Sequence, residues 1–328
     1  MLPLYAKVRM HRVLVFVNPV FDQRAVHRDA LARIVTMFGS SGLSVEVHET
    51  LSARSAGDQA RQGIEDGFDT IMVCGGDGTV VNVIQGVAGT EIPVGILPFG
   101  TGNVLAQNLN LPRDPVEAAR RLLTATARRI PLGRVSVIAP EFRADGSRRL
   151  NRHKSWYFTM CAGMGLHAAL MEASDGWGKR AIGRISYYFA GMSLLARHRI
   201  QPFDIEVTTS AGDVFHQRVC EAIAVRVPEL NRWRPGGRLH EPVLRLASVD
   251  ATGRWGLAEA SFQALARTAP RNGNAPLARY TDAVRIVCTP VPDYDYHTGV
   301  LAEADGEVLG AKNAVIEMTD KSFYLLSP

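Results

Sequence analysis

Cys74-Gly75-Gly76-Asp77-Gly78-Thr79 places three glycines and a carboxylate within six residues. Glycine lets the main chain approach a ligand closely. An apolar run precedes the segment and a helical pattern follows it. Such a strand-loop-helix unit aims free N–H groups at an anion, helped by the helix dipole. A carboxylate inside the loop requires a cation or a hydroxyl nearby, so the implied chemistry is that of a phosphate beside a metal ion. A second loop, Leu97-Pro98-Phe99-Gly100-Thr101-Gly102-Asn103, also follows an apolar run and opens a helical pattern. Two such loops after successive strands lie side by side at the carboxyl ends of a parallel sheet, where open α/β folds bind ligands. Asp305-Gly306, taken alone, reads as a hairpin turn. The same dipeptide recurs at Asp66-Gly67, Asp145-Gly146 and Asp175-Gly176.

These loops need a scaffold. The continuous apolar run at residues 13–17 predicts a parallel strand buried on both faces. Ala30, Leu31, Ile34, Val35 and Phe38 recur at helical spacing, with Gly39 as a stop. Residues 43–47, 68–73 and 92–97 predict further strands; residues 56–66, 79–87 and 116–127 predict helices between and after them. Strands alternating with helices predict a Rossmann-like α/β domain with a mostly parallel sheet over residues 1–131. Beyond Pro131, short apolar runs are punctuated by Asp145-Gly146, Ala211-Gly212-Asp213, Thr252-Gly253 and Asp305-Gly306. That texture predicts an antiparallel β-sandwich domain over residues 132–318, interrupted by a helix at residues 177–199.

The composition, 46% hydrophobic and 21% charged over 328 residues, suits a globular chain with a sizeable core. The longest apolar stretch, residues 156–171, is interrupted by His167 and falls short of a membrane span. Cys74, Cys161, Cys220 and Cys288 form no C-x-x-C pair, and their spacing predicts neither a zinc site nor a disulfide framework. Residues 1–10 do not read as a secretory signal, which points to the cytoplasm. A net charge of +5 suits an anionic partner such as phosphate or an acidic membrane surface. The charge is spread out, and no nucleic-acid partner is expected.

Gly75-Gly76-Asp77-Gly78-Thr79 followed by residues 97–109 resembles the diacylglycerol kinase catalytic-domain family, most closely its bacterial soluble lipid kinases, with sphingosine and ceramide kinases as relatives. Asn18-Pro19 after the first strand resembles that family's N-P motif. Thr50 stands where the family places a residue beside the nucleotide. Residues 179–187 resemble a basic helix of the second domain, and Asp305-Gly306-Glu307 resembles a D-G-E motif near the C-terminus. The resemblance implies a nucleotide-binding domain, a lipid-substrate domain and a cleft between them, with residues 319–328 returning to the first domain. It implies transfer of the γ-phosphoryl group of ATP to a diacylglycerol-like or sphingoid-like hydroxyl, with Mg²⁺, as in phospholipid biosynthesis. Peripheral contact with an anionic membrane surface follows; a homodimer stays open. Val20-Phe21-Asp22, Asn82, Val104 and His167 depart from the family's pattern, and residues 244–249 lack its acidic turn. These departures leave open which lipid is used and whether the second domain holds a structural metal.

The resemblance also implies roles. Gly75, Gly76, Gly78 and Thr79 would supply donors to the phosphates, and Asp77 would hold Mg²⁺ or orient the attacking hydroxyl. Gly100, Thr101 and Asn103 would contact the nucleotide from the second loop. Asn18 and Thr50 would sit at the nucleotide or serve as turn residues, and Arg180 would contact phosphate. Asp305 would be the general base, with Glu307 on the same face binding metal or nucleotide. His167 carries no assigned role. Two other readings remain: a kinase of a soluble substrate resembling the NAD kinases, and a non-catalytic nucleotide or lipid sensor.

Overall fold

The computed structural model describes residues 5–7, 10–19, 25–52, 55–142, 148–165, 167–169, 171, 201–230, 233–250, 278–291, 300–311 and 313–328. They divide into two compact units, Met1–Leu132 with Thr319–Pro328, and Gly133–Met318.

In the first unit the order is β1 (Tyr5–Lys7), β2 (Arg12–Val17), α1 (Ala25–Ser40), β3 (Ser44–Glu49), α2 (Ala56–Glu65), β4 (Thr70–Gly75), α3 (Asp77–Val87), β5 (Pro93–Pro98), α4 (Val104–Asn108) and α5 (Pro115–Leu122). The start of β6 (Thr126–Phe142) and the end of β15 (Ala314–Ser327) complete it. The parallel sheet runs β15-β5-β4-β2-β3. β4 and β5 are buried along their whole lengths and β2 along all but its first residue, as continuous apolar runs require when helices cover both faces. β3 is the edge, and its charged residues Glu46 and Glu49 keep it exposed. Helices α2 and α3 meet at Gly57 and Gly86, where a Cβ on Gly86 would strike the Gly57 carbonyl. The helix beginning with the first glycine loop is thus seated by main-chain contact.

Helix α5 starts as its residues dictate, with Asp114 accepting from Val116 N–H at 2.8 Å and Pro115 in the first turn. The spacing predicts this helix over 116–127, yet it ends at Leu122. Residues 126–128 instead pair antiparallel with β1, so a long-range ladder overrides the helical preference of Ala125 and Ala127.

The second unit is built from antiparallel strands: the rest of β6, β7 (Arg148–Phe158), β8 (Cys161–Gly165), β9 (Phe203–Thr209), β10 (Val214–Val225), β11 (Leu244–Asp250), β12 (Ala278–Pro290), β13 (Leu301–Ala304), β14 (Glu307–Ala311) and the start of β15. Their order is β14-β13-β8-β10-β11-β12-β15, with β6 and β7 forming a hairpin. β9 pairs with both β10 and β12, so β9, β10, β11 and β12 close a ring. Buried residues of the second unit form one core with Val135, Phe158, Phe203, Val207, Leu246 and Ile286 among its members. An α/β unit with a parallel sheet and an antiparallel β unit are what the alternation and the turn spacing predict. The predicted helix at residues 177–199 lies outside the described residues, as do Asp145-Gly146, Asp175-Gly176 and Thr252-Gly253. Among the described residues, no helix is long and apolar enough to cross a membrane.

Candidate functional site

In the first unit the carboxyl ends of β2, β3, β4 and β5 share one edge of the sheet. The chain leaves β2 for β3 on one side and returns to β4 on the other, so the order reverses beside β2. Asn18 follows β2 and donates through Nδ2 to Thr79 Oγ1 at 3.1 Å, bridging that reversal. Thr50 follows β3, with its N–H bonded to Val17 O beside Asn18. Gly76, extended at φ −93°, precedes α3, and Thr79 N–H returns to Gly76 O.

The two glycine loops touch. A Cβ on Gly100 would lie 2.6 Å from Gly76 Cα and 2.7 Å from Asn103 Oδ1, so only glycine fits. Asn103 takes the left-handed conformation at φ 49° and closes the second loop on itself: Oδ1 accepts from Gly100 N–H and Nδ2 donates to Gly100 O. Asp77 ties the loops together. Its Oδ2 accepts from Val104 N–H at 3.0 Å and its Oδ1 from Leu105 N–H at 3.2 Å, at the start of α4. Burial raises the Asp77 pKa above the usual carboxylate range, against the pull of these N–H groups. Each oxygen keeps lone-pair capacity after these bonds. Thr101 is exposed at the loop's tip.

In the second unit Asp305 and Gly306 form the two-residue turn between β13 and β14, both with positive φ, 48° and 87°. The hairpin reading of this dipeptide holds, yet the side chain does more than turn the chain. Asp305 Oδ2 accepts from Thr159 N–H at 2.7 Å and Thr159 Oγ1 at 3.0 Å. Its Oδ1 accepts from Met160 N–H at 2.9 Å and Cys161 N–H at 2.8 Å. Four donors occupy the roughly four lone-pair positions of a carboxylate. Burial still moves the Asp305 pKa up to about 6.

Around Asp305 lies a buried polar cluster. Glu303 is fully buried, and burial with the nearby Asp305 and Glu221 carboxylates pushes its pKa to about 8. Burial lowers the pKa of His167 to about 4. The buried Arg226 guanidinium donates to Leu239 O and Glu241 O and feels the charge of Asp305; burial brings it down to about 10. Glu307 opens β14 opposite Ala304.

The structure therefore gathers Asn18, Thr50, Gly75, Gly76, Asp77, Gly78, Thr79, Gly100, Thr101 and Asn103 at one sheet edge, and puts Asp305 and Glu307 at one hairpin of the other unit. Arg180 lies outside the described residues. Sequence reasoning missed Thr159, Glu221, Arg226 and Glu303. The signal for Glu303 and Arg226 was a charge at a buried position beside apolar strand residues, in Leu301-Ala302-Glu303-Ala304 and after Ala222-Ile223-Ala224-Val225.

A parallel sheet with paired glycine loops at the carboxyl ends of adjacent strands defines a class of ligand-binding α/β folds. Within that class, residues 12–135 match the family described as diacylglycerol kinase catalytic domain. The resemblance read from the two glycine loops is thereby borne out. The chain is 28% identical over 201 residues to a diacylglycerol kinase of Bacillus subtilis, a match covering 60% of this chain and 59% of that protein. It is 35% identical over 141 residues to a diacylglycerol kinase of Mycobacterium tuberculosis, covering 43% of this chain and 41% of that one. The chain thus spans about half the length of the curated relatives it matches. The fold is also that of a crystal structure of a proposed diacylglycerol kinase from Bacillus anthracis, with a TM-score of 0.72, 20% identity, and coverage of 98% of this chain and 99% of that one.

Proposed function

We propose that this chain is a lipid kinase that transfers the γ-phosphoryl group of ATP to a lipid hydroxyl. The observation that carries this reading is the contact between the two glycine loops, closed by Asp77, at the carboxyl ends of β4 and β5. The match of residues 12–135 to the diacylglycerol kinase catalytic domain, and relatives bearing that name, support the lipid as acceptor. On this reading residues 1–131 with 319–328 bind the nucleotide, and residues 132–318 bind the lipid.

Main-chain N–H groups of Gly75, Gly76 and Gly78, with the Thr79 hydroxyl, take the phosphates; Asn18 fixes that hydroxyl through its hydrogen bond. Gly100, Thr101 and Asn103 shape the neighbouring wall, and Thr50 borders Asn18. Asp77 suits Mg²⁺, which needs one or two carboxylates and completes its shell with water and phosphate oxygens. When bound there, Mg²⁺ neutralises phosphate charge. The lipid oxygen attacks the γ-phosphorus as the bond to the β-phosphate oxygen breaks, and ADP leaves. Asp305 takes the hydroxyl proton once Thr159 Oγ1, the one side-chain donor among its four partners, turns away. Glu307 and Arg180 lend charge to metal and phosphate. Access to the lipid is from an anionic membrane surface, to which residues 179–199 bind through their basic and aromatic side chains.

The test is ATP consumption by purified protein with a total lipid extract, with NAD and with neither, followed by mass spectrometry of the lipids. Lipid-dependent turnover and a new phospholipid are expected. Turnover with NAD alone would favour the soluble-substrate reading, and none at all a sensor.

A further inference from the structure

Three side chains of the second unit converge where no role above places chemistry. Cys161 opens β8, His167 follows that strand, and Glu303 lies on β13. In the β8·β13 ladder Glu303 stands opposite Gly163. Cys161, two residues before Gly163, therefore shares the face of Glu303, and glycine puts no side chain between them. Past Gly165, at φ 119°, His167 is anchored by its main-chain N–H donating to Glu221 Oε2 at 2.9 Å. Its Nε2 then lies 3.5 Å from Glu303 Oε1, and Cys161 Sγ lies 4.0 Å from the same oxygen. The other Glu303 oxygen accepts from Gly306 N–H at 2.9 Å, which aims Oε1 at the thiol and the imidazole. All three donor atoms fall within 4.8 Å of one another, and His167 Nε2 is buried with no hydrogen-bond partner among the described residues.

We propose that Cys161 Sγ, His167 Nε2 and Glu303 Oε1 form a binding site for a divalent transition-metal ion of the zinc class. Tetrahedral donors around Zn²⁺, at bond lengths of about 2.0–2.3 Å, stand about 3.3–3.5 Å apart. The separations from Glu303 Oε1 lie within about half an ångström of that spacing. Sulfur and imidazole nitrogen select zinc, cobalt or iron over magnesium and calcium, which prefer all-oxygen shells. Thiolate and carboxylate together cancel the two charges of the ion, so the filled site is neutral where burial disfavours net charge. Binding releases the thiol proton and the proton that burial keeps on the Glu303 carboxyl to solvent, and three protein ligands leave a fourth position for water. Cysteine spacing cannot reveal such a site, because one ligand comes from a strand far along the chain.

The experiment uses full-length protein carrying a tag without histidines, loaded with Co²⁺ or Zn²⁺. About one Co²⁺ per chain is expected, with a thiolate-to-cobalt charge-transfer band and a Tm that rises with Zn²⁺ and falls back with chelator. Cys161→Ser should abolish the band. Cys220→Ser, whose thiol bonds to the Val249 and Asp250 carbonyls instead, should keep it. Glu303→Gln and His167→Gln should weaken Co²⁺ binding by about tenfold or more. Wild-type protein that binds no Co²⁺, or a band that survives Cys161→Ser, overturns the proposal. Wild-type stoichiometry and the Tm shift require no variant, so they decide the matter even where a substitution unfolds the chain.

Discussion

Asp77 and Asp305 are the same residue type used in two different surroundings. Each carboxylate collects main-chain N–H groups from a segment remote in sequence: residues 104–105 for Asp77, residues 159–161 for Asp305. Asp77 sits among glycines; the Val104 and Leu105 N–H groups bond it, those of Asp77 and Asn103 lie near, and lone-pair capacity is left for a cation or water. Asp305 sits among carboxylates, with four donors filling its oxygens. A carboxylate with spare lone pairs can organise a ligand as it stands; a saturated one must release a donor before it accepts a proton. Holding a fold and serving a reaction are therefore nearly separable at Asp77 and bound together at Asp305.

The largest effect that can break this contrast is Asp305→Asn. In either orientation the amide nitrogen would face at least one main-chain donor and leave it without an acceptor, at about 1–3 kcal/mol. Chemical denaturation should show that loss, and lipid phosphorylation under conditions where the variant is folded should fall by about 10²–10⁴. An unchanged denaturation midpoint would remove the clasp; unchanged turnover would leave Asp305 a turn residue and move the base elsewhere. Asp77→Asn comes next. It should forfeit one bond to α4, about 1–2 kcal/mol, and lower phosphorylation at limiting Mg²⁺ by about 10². Should saturating Mg²⁺ fail to restore any activity, the role of Asp77 would be confined to tying the loops.

Smaller changes sharpen the picture on the glycine side. Gly100→Ala puts a methyl group against Gly76 Cα, main chain that cannot swing aside. The cost should be about 1–3 kcal/mol, with weaker binding of a non-hydrolysable ATP analogue by calorimetry. Gly78→Ala meets nothing within 4 Å among the described residues. Its stability should stay within about 0.5 kcal/mol of wild type and its nucleotide affinity within a few-fold. Equal behaviour of the two variants would mean that loop contact does not govern binding.

The buried strands β2, β4 and β5 were legible in the chain because an apolar run covered on both faces needs no distant partner to be recognised. The glycine loops were legible for the same reason: each is a local motif between a strand and a helix. Helix α5 was read too long because its true end depends on pairing with β1, more than a hundred residues upstream. The cluster of Cys161, His167, Glu221, Arg226 and Glu303 was illegible. Its members lie on or just beyond β8, β10 and β13, far apart in sequence, and only the antiparallel registers of β8 with β10 and β13 bring them together. The role of Asp305 as an acceptor for Thr159, Met160 and Cys161 was hidden likewise, since a D-G turn reveals its backbone and not its side-chain partners.

β15 carries a consequence for biosynthesis. Its end pairs with β5 through Tyr324 and Leu325, and Thr319 Oγ1 donates to Leu132 O. A ribosome delivers β2 to β5 early and this closing strand only after all of residues 133–318. Throughout that interval the nascent sheet presents the open side of β5, an apolar edge able to pair with other chains. Shielding of that edge, or fast synthesis of the intervening segment, shortens the exposure.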